Sequence, residues 1–203
     1  MTAGSPEVVL ATRNAGKVAE FRRILLPYGI ALLGLEEVAP YEPGPETAPT
    51  FEGNALAKAR EAVAATGLPA VADDSGLCVD ALNGMPGILS ARWAGQHGQD
   101  AANVALLLAQ LVDVPDERRG GGFVCAAAYA LPSGASDVVR GELRGTLLRE
   151  GRGTGGFGYD PVLLPDGLDR SAAELATEEK DAISHRGRAL RALAPLLAEA
   201  LTD

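Results

Sequence analysis

Two adjacent carboxylates, Asp73 and Asp74, follow the apolar run "LPAVA" within the segment "VADDSG". The apolar run predicts a buried strand, and successive side chains of a strand point to opposite faces. The two acids therefore need different partners unless the strand has already ended. A strand-ending turn at "DDSG" is one interpretation, because Asp, Ser and Gly are favoured in turns. The other is a ligand site at the strand end, where a carboxylate holds a metal ion or a proton.

Four acidic side chains are candidates for metal binding, namely Glu46, Asp73, Asp74 and Asp80. Magnesium is commonly held by one or two carboxylates together with the phosphates of a substrate, so two of the four are enough. Glu46 lies in the Pro-rich stretch 36–50, and for this residue a plain surface charge is the simplest alternative.

The segment "TRNAGK", residues 12–17, lies between a predicted strand and a predicted helix. Asn14 stands at the position of a helix N-cap, and a helix N-terminus with Lys17 beside it can bind phosphate. The segment is not a Walker loop, because Ala11 stands where the first glycine belongs and Val18 follows the lysine. A capped helix without a ligand is the alternative interpretation.

Residues 153–158, "GTGGFG", match the pattern GxGxxG, but they do not predict a dinucleotide site. That motif requires a helix to open at its last glycine, whereas "YDP" follows Gly158, and the residue before a proline is extended or turning. What remains is a loop whose aromatic residues, Phe157 and Tyr159, either carry a planar base or pack into the core.

The segment "ISHRGRAL", residues 183–190, places Ser184, His185 and Arg186 at the entrance to the last predicted helix. These side chains offer several hydrogen-bond donors for a carbonyl or phosphate acceptor. Lys180, a few residues earlier, has the same potential. A solvated helix start is the alternative for all of them.

Hydrophobic periodicity predicts the elements that must position these residues. We expect strands over 7–12, before Asp73 and over 161–164, a hairpin over 122–131 and 137–148, and helices over 15–28, 51–66, 100–112 and 186–201. The second hairpin arm alternates Arg140, Glu142 and Arg144 outward, so one face of the sheet should meet solvent. Parallel and antiparallel signals are both present, which predicts an α/β fold with a mixed sheet.

Composition limits the class of protein. The chain has 203 residues with 47% apolar side chains, which predicts a single domain over 1–203. A net charge of −9 disfavours nucleic-acid polymers and anionic membranes as partners. No segment resembles a signal peptide or a membrane span, and Cys78 and Cys125 are far apart in apolar stretches. Reduced, buried cysteines and a cytoplasmic location are therefore expected.

The order of the motifs resembles the non-canonical purine nucleoside triphosphate pyrophosphatases, the family of inosine triphosphatase. Six segments between about residues 7 and 195 carry the resemblance: "ATRNAGKVAEF", "ETAPTFEGNALAKA", "VADDSGLCVDAL", "PGILSARWAG", "GTGGFGYDPV" and "EEKDAISHRGRAL". The resemblance implies a homodimeric α/β enzyme with a long mixed sheet flanked by helices and two lobes around a central cleft. It implies hydrolysis of ITP, dITP or XTP to the monophosphate and pyrophosphate with Mg²⁺, or with Mn²⁺ as the alternative.

The resemblance also implies residue roles. It assigns substrate binding to the phosphate loop, Thr12, Arg13, Asn14, Ala15, Gly16 and Lys17, with Lys58 and Ser75 as further contacts. It assigns the metal to Glu46 and Asp74, and the general base to Asp74. It assigns the base and sugar to Phe157, Gly158, Tyr159 and Asp160. It assigns the rest of the nucleotide pocket to Lys180, His185 and Arg186. Asp73, on the other side of the strand, is expected to order the loop or to support the site.

Base selectivity can be argued from hydrogen bonding. Hypoxanthine and xanthine present an O6 acceptor, which donors from His185 or Arg186 would satisfy, whereas the N6 donor of adenine would leave those groups unpaired. Two other functions stay open: a nucleotide-binding module without catalysis, and a Maf-type pyrophosphatase acting on modified pyrimidine or 7-methylated guanine nucleotides. The chain departs from the resembled pattern at "FEGNA", where an acid commonly precedes Asn54, and at Ala48, where Gly is frequent.

Overall fold

A short strand followed by a helix opens the part of the chain that the computed structural model describes, residues 7–202. Strand β1 spans Glu7–Leu10 and helix α1 spans Ala15–Leu25. Asn14 caps the helix, because its Oδ1 accepts a hydrogen bond from the Lys17 N–H at 3.1 Å. The predicted helix ran to residue 28, but Pro27 converts Leu26–Tyr28 into a 3₁₀ turn, and Gly29 ends it with φ 71°.

The remaining elements follow in an α/β order. They are β2 Ala31–Leu33, α2 Phe51–Thr66, β3 Ala70–Val79, α3 Asp100–Gln110, β4 Gly120–Ala130, β5 Ser136–Leu147, β6 Leu163–Pro165, α4 Thr177–Ile183 and α5 His185–Ala200. Strand β2 and helix α4 have no counterpart among the predicted elements. The other predicted helices and both hairpin strands are confirmed with small shifts at their ends.

The six strands form one mixed sheet in the order β2-β1-β3-β4-β5-β6. Strand β1 pairs in parallel with β2, with Val8 opposite Leu32, and in parallel with β3, with Val9 opposite Ala70. Strand β5 pairs antiparallel with β6, with Thr146 opposite Leu164. The predicted mixed sheet with flanking helices is therefore confirmed.

Strand β3 corrects the turn interpretation of "DDSG". The strand continues through Asp73 and Asp74 to Val79, so neither acid lies in a turn. Asp is disfavoured in strands because it forgoes packing, and buried partners described below compensate for that loss here. As a consequence, the two carboxylates point to opposite faces of the sheet.

A first compact unit comprises residues 7–74, 125–141 and 186–202. One of its apolar clusters packs α1 and α5 against the strands, with Phe21, Leu25, Leu190 and Leu193 fully buried. Another lies under α2 and is built largely from alanines, including Ala59 and Ala62. On this helix Ala59 is fully buried, whereas the larger Leu56 and Val63 are half-buried.

A second compact unit comprises residues 75–124 and 142–185. Its core contains Leu77, Leu107, Leu111 and Leu147. Buried Arg119 ties the unit together, since its guanidinium donates to the carbonyl oxygens of Leu111 at 2.6 Å, Leu147 at 2.8 Å and Leu148 at 2.9 Å. A single domain over 1–203 and a cleft between two lobes stay predictions.

Two smaller expectations can be compared with the structure. The outward alternation of Arg140, Glu142 and Arg144 is confirmed, because all three are exposed while Gly141, Leu143 and Gly145 are buried. Cys78 and Cys125 are both thiols and not disulfide-bonded, but only Cys125 is buried, whereas Cys78 is half-buried. Within residues 7–202, no helix combines the length and the apolar character that crossing a membrane requires.

Candidate active site

Asp73 is the centre of a buried ion-pair network in the first unit. Its side chain is fully buried, with the Lys17 Nζ at 3.0 Å from Oδ1 and 2.9 Å from Oδ2. The Arg186 Nε donates to Oδ2 at 3.1 Å, and the Cys125 Sγ lies 3.8 Å from the same oxygen. Asp73 therefore connects the end of the "TRNAGK" loop to the start of α5.

Glu20 extends this network on α1, three residues after Lys17. Its Oε2 accepts from the Arg186 Nη1 at 2.5 Å, and both side chains are buried. Burial disfavours the charged guanidinium, but Asp73 and Glu20 outweigh burial and raise the pKa of Arg186. Two cations and two carboxylates thus balance, which is what makes their burial tolerable.

Asp74 faces a different set of partners. Its Oδ2 accepts from the Asn54 Nδ2 at 3.0 Å, and its Oδ1 lies 3.2 Å from the Lys58 Nζ. The same ammonium group lies 2.9 Å from the Glu46 Oε1. One lysine thus bridges the two carboxylates to which the family resemblance assigns a metal.

The electrostatics of this cluster follow from burial and from charge. Burial raises the pKa of Asp74, and Glu46 adds to the rise, while Lys58 and Asn54 oppose it. Burial lowers the pKa of Lys58, but attraction by Asp74, Asp73 and Glu46 is stronger, so the net direction is upward. Lys58 therefore carries its charge at neutral pH, and Asp74 binds a proton more readily than an exposed aspartate.

Asn54 fixes the geometry on the α2 side of the cluster. Its Oδ1 accepts from the Ala48 N–H at 2.9 Å, so its Nδ2 is directed to Asp74. Thr50 caps α2 by accepting from the Gly53 N–H at 3.1 Å, which sets where the first turn lies. The Glu46 segment is in this way tied to α2 at its backbone.

The predicted phosphate loop lies beside these groups in the same unit. The Asn14 N–H donates to the Thr12 Oγ1 at 3.3 Å, and the Asn14 side chain is used by the helix cap. Arg13 is exposed, with its Nη2 3.4 Å from the Tyr41 carbonyl oxygen. Lys17 is mostly buried by its pairing with Asp73. Gly16 is exposed, and Ala15 is the first residue of α1.

The second unit contains the residues predicted to hold a base. The Asp160 Oδ2 accepts from the Phe157 N–H at 2.8 Å and from the Lys180 Nζ at 2.5 Å. The same Nζ lies 5.2 Å from the centre of the Phe157 ring, which is a cation–π distance. Phe157 is 41% exposed, so its ring is a surface and not a core group.

Tyr159 has the opposite character. It is buried, and its hydroxyl donates to the Ser90 carbonyl oxygen at 2.9 Å. Burial raises the pKa of Tyr159, and the nearby Asp100 carboxylate adds to the rise. Tyr159 thus anchors the loop to the core, while Gly158 donates its N–H to the Asp100 Oδ2 at 2.8 Å.

The remaining predicted site residues are placed as follows. His185 is buried, and its ring stacks on Phe123 with 4.9 Å between the ring centres. Ser75 is half-buried in β3 directly after Asp74. The guanidinium of Arg186 binds Asp73 and Glu20, so in this structure its role is to hold other charges.

Sequence reasoning gave no role to Glu20, to Asn54 or to Asp100. Helical spacing carried a signal for two of them, because Glu20 is three residues after Lys17 and Asn54 is four residues before Lys58. Asp100 carried none, since its partner Gly158 is 58 positions away.

The donor set near Lys58 fits a divalent cation only when a ligand completes it. Among residues 7–202, no cluster of three or more His, Cys, Asp or Glu side chains has the geometry of a metal site. Glu46 and Asp74 supply two carboxylates, and Mg²⁺ is commonly bound by such a pair plus the phosphates of a substrate. The residues present therefore fit a cation that arrives with a phosphate compound.

Comparison with known proteins gives a consistent result. The model of the Ham1 family matches residues 8–196. A protein from Nocardia farcinica named dITP/XTP pyrophosphatase is 64% identical over 97% of this chain and 96% of its own length. A protein of the same name from Mycobacterium tuberculosis is 62% identical over 94% and 95%.

Solved structures agree with these matches. The dITP/XTP pyrophosphatase from Mycobacterium abscessus is 59% identical and superimposes with a TM-score of 0.78, covering 93% of this chain and 99% of that one. The Ham1 protein of Staphylococcus aureus is 38% identical with a TM-score of 0.86, covering 96% and 99%. The resemblance drawn from the six ordered segments is therefore confirmed.

Proposed function

The chain belongs to the Ham1 family, and from this membership we infer that it hydrolyses dITP, ITP and XTP to the nucleoside monophosphate and pyrophosphate. Such an activity would clear deaminated purines from the nucleotide pool. One structural observation carries the proposal: Lys58 joins Glu46 and Asp74, with 2.9 and 3.2 Å between its Nζ and their oxygens. This hydrolysis requires two carboxylates that can bind a cation and a buried general base.

The phosphate end of the substrate is assigned to the first unit. Lys17 and Lys58 supply positive charge, and the N-terminus of α1, with Thr12, Arg13, Asn14, Ala15 and Gly16 before or in its first turn, supplies N–H donors. Each lysine is already paired with a carboxylate, so its ammonium is held in place before the substrate arrives. Pre-oriented donors lose less entropy on binding than mobile ones.

A divalent cation is assigned to Glu46 and Asp74, with Mg²⁺ as the proposed ion and Mn²⁺ as the alternative. When bound, the ion would polarise the α-phosphoryl group and neutralise the leaving pyrophosphate. In the absence of the ion, the positive charge of Lys58 offsets the negative charges of both carboxylates and reduces their repulsion.

Asp74 is proposed as the general base. Asn54 holds Oδ2 in a fixed direction, so the carboxylate can orient a water molecule and accept its proton. Ser75 follows in the strand and is proposed as a further substrate contact.

The purine and its sugar are assigned to Phe157, Gly158, Tyr159, Asp160 and Lys180 in the second unit. The exposed Phe157 ring offers a stacking surface, and Lys180 is held at that ring by Asp160. Of the two predicted O6 donors, His185 is the stronger candidate. Arg186 already donates to Asp73 and Glu20, so its contribution to the pocket is proposed to be the placement of Lys17 and of α5.

A rate comparison tests the proposal. Pyrophosphate release, converted to phosphate by an added pyrophosphatase and read with malachite green, is measured for ITP, dITP, XTP, GTP and ATP. We expect the three deaminated nucleotides to exceed ATP by at least about tenfold, because each unmatched buried donor costs about 1–3 kcal/mol. Equal rates for ATP and ITP would contradict the selectivity.

Two further outcomes distinguish the alternatives. Binding of ITP without release of pyrophosphate would identify a nucleotide-binding module. Faster turnover of modified pyrimidine or 7-methylated guanine nucleotides would identify a Maf-type activity. A homodimer and a cytoplasmic location stay predictions, which sedimentation and fractionation of cells would test.

A further inference from the structure

An acidic side chain on another element binds the backbone of the loop that carries Phe157. Asp100, the first residue of α3, accepts from the Gly158 N–H through its Oδ2 at 2.8 Å. Gly158 has φ 62°, a conformation that favours glycine and that exposes its N–H to this partner. A carboxylate bound to a backbone N–H makes a charge-assisted hydrogen bond, which is stronger than a neutral one.

The backbone at Phe157 is therefore held by hydrogen bonds from two consecutive N–H groups. Its own N–H donates to the Asp160 Oδ2 at 2.8 Å, and the next N–H, that of Gly158, donates to Asp100. Lys180 binds the same oxygen of Asp160 and lies over the ring. The direction of the 41%-exposed ring therefore depends on two carboxylates, one of which lies on another element.

Tyr159 attaches the loop to the core independently of Asp100. It is buried and hydrogen-bonded to Ser90, so the loop keeps its attachment to the core when Asp100 is changed. Asp100 itself is exposed, and substitutions at exposed positions rarely cost much stability. Loss of Asp100 should then free the backbone near Phe157 without unfolding the unit.

We propose that Asp100 is a positioning residue for the base-binding ring of Phe157 and thus sets the affinity for the purine end of the nucleotide. The proposal rests on the proposed function, because it takes Phe157 as the stacking surface. The ring must be ordered before a base can stack on it, and without Asp100 that ordering cost is added to each binding event.

Three variants test the assignment. Asp100→Ala removes the acceptor, Asp100→Asn keeps an oxygen that can accept from Gly158, and Asp113→Ala removes an exposed carboxylate elsewhere in the same unit. Calorimetry measures the binding of two probes, IMP, which contains the base, and pyrophosphate, which does not. Turnover of ITP gives kcat and KM, and circular dichroism checks the fold.

We expect Asp100→Ala to weaken IMP binding by about 5- to 20-fold and to raise the KM for ITP by a similar factor. Pyrophosphate binding and kcat should stay within about twofold of the wild type, and Asp100→Asn should recover part of the loss, because its oxygen accepts the hydrogen bond without the charge. Asp113→Ala should match the wild type throughout.

Three results would overturn the proposal. These are equal behaviour of Asp100→Ala and Asp113→Ala, failure of Asp100→Asn to recover binding, and a parallel loss of pyrophosphate affinity. The binding series is independent of catalysis. If the wild type bound IMP but released no pyrophosphate from ITP, the proposed function would fail while the role of Asp100 could still be decided.

Discussion

Asp73 and Asp74 are consecutive residues of β3, yet their carboxylates form hydrogen bonds with different partners. Asp73 pairs with Lys17 and Arg186, and Asp74 with Lys58 and Asn54. Strand geometry explains the separation, because successive side chains leave the sheet on opposite faces. The first acid is therefore suited to holding other charged groups, and the second to chemistry.

Asp74→Asn should abolish most activity while the protein stays folded. The amide cannot accept a proton from water and is a poorer cation ligand, so kcat for ITP should fall by at least about 100-fold. Pyrophosphate release gives kcat, and a thermal unfolding curve checks the fold. A variant that retained wild-type turnover would remove Asp74 from the role of general base.

Lys58→Met should make stability more dependent on a divalent cation. Without the ammonium, Glu46 and Asp74 repel each other, so the Tm measured with EDTA should drop below that of the wild type. Added Mg²⁺ should raise the Tm of the variant by more than it raises that of the wild type, since it replaces the lost charge.

Arg60→Met is the matched control for Lys58→Met. Arg60 lies on the same helix but is exposed and hydrogen-bonded to Ser136. This control should respond to Mg²⁺ as the wild type does. Equal responses of all three proteins would contradict the placement of the cation at Glu46 and Asp74.

Asp73→Asn should be strongly destabilising. The substitution leaves two buried cations, Lys17 and Arg186, without the carboxylate that they share. Breaking a buried ion pair from one side typically costs about 3–5 kcal/mol, so urea unfolding should show a loss in this range. A loss below about 1 kcal/mol would mean that Glu20 alone compensates Arg186.

The effect of Gly53→Ala on stability should depend on the residue at position 48. A Cβ at Gly53 would lie 2.7 Å from the Ala48 Cβ, so Gly53→Ala should destabilise the protein by about 1–3 kcal/mol. In an Ala48→Gly background the contact with that Cβ is gone and the Thr50 Oγ1, at 3.3 Å, is the nearest remaining atom, so the same change should cost less stability than in the wild type. Urea unfolding of the four proteins measures the coupling, and additive effects would contradict it.

The pair of Asp80 and Arg144 should give a small, pH-dependent contribution to stability. Hydrogen bonds from Arg144, at 3.1 and 2.5 Å, lower the pKa of Asp80. A carboxyl group whose folded pKa is depressed stabilises the fold above its unfolded pKa, and this contribution disappears as the pH falls through the folded pKa. Both side chains are about half exposed, so solvent screening limits the effect to about 0–1 kcal/mol.

The test is the Tm difference between the wild type and Asp80→Asn. It should be small and positive at pH 7, and it should shrink as the pH falls below about 4, the usual pKa of an aspartate. A difference that stayed constant over this range would show that the charge of Asp80 makes no contribution.

Local physical chemistry determined the elements that the sequence predicted correctly. The cap at Asn14 and the outward alternation of Arg140, Glu142 and Arg144 each depend on neighbours within a few residues. The six ordered segments, including "TRNAGK" and "SHRG", were likewise sufficient to indicate the family.

Tertiary packing decided which distant residues come into contact, and local sequence signals do not predict these contacts. Strand β3 continues through Asp73 and Asp74 because partners from other elements compensate each buried charge. The same pairing stabilises Arg186 in the interior. Asp100 accepts a hydrogen bond from Gly158, which is distant in the sequence. Local periodicity predicts which face of an element is apolar, but the partner of a buried charge depends on which other elements pack beside it.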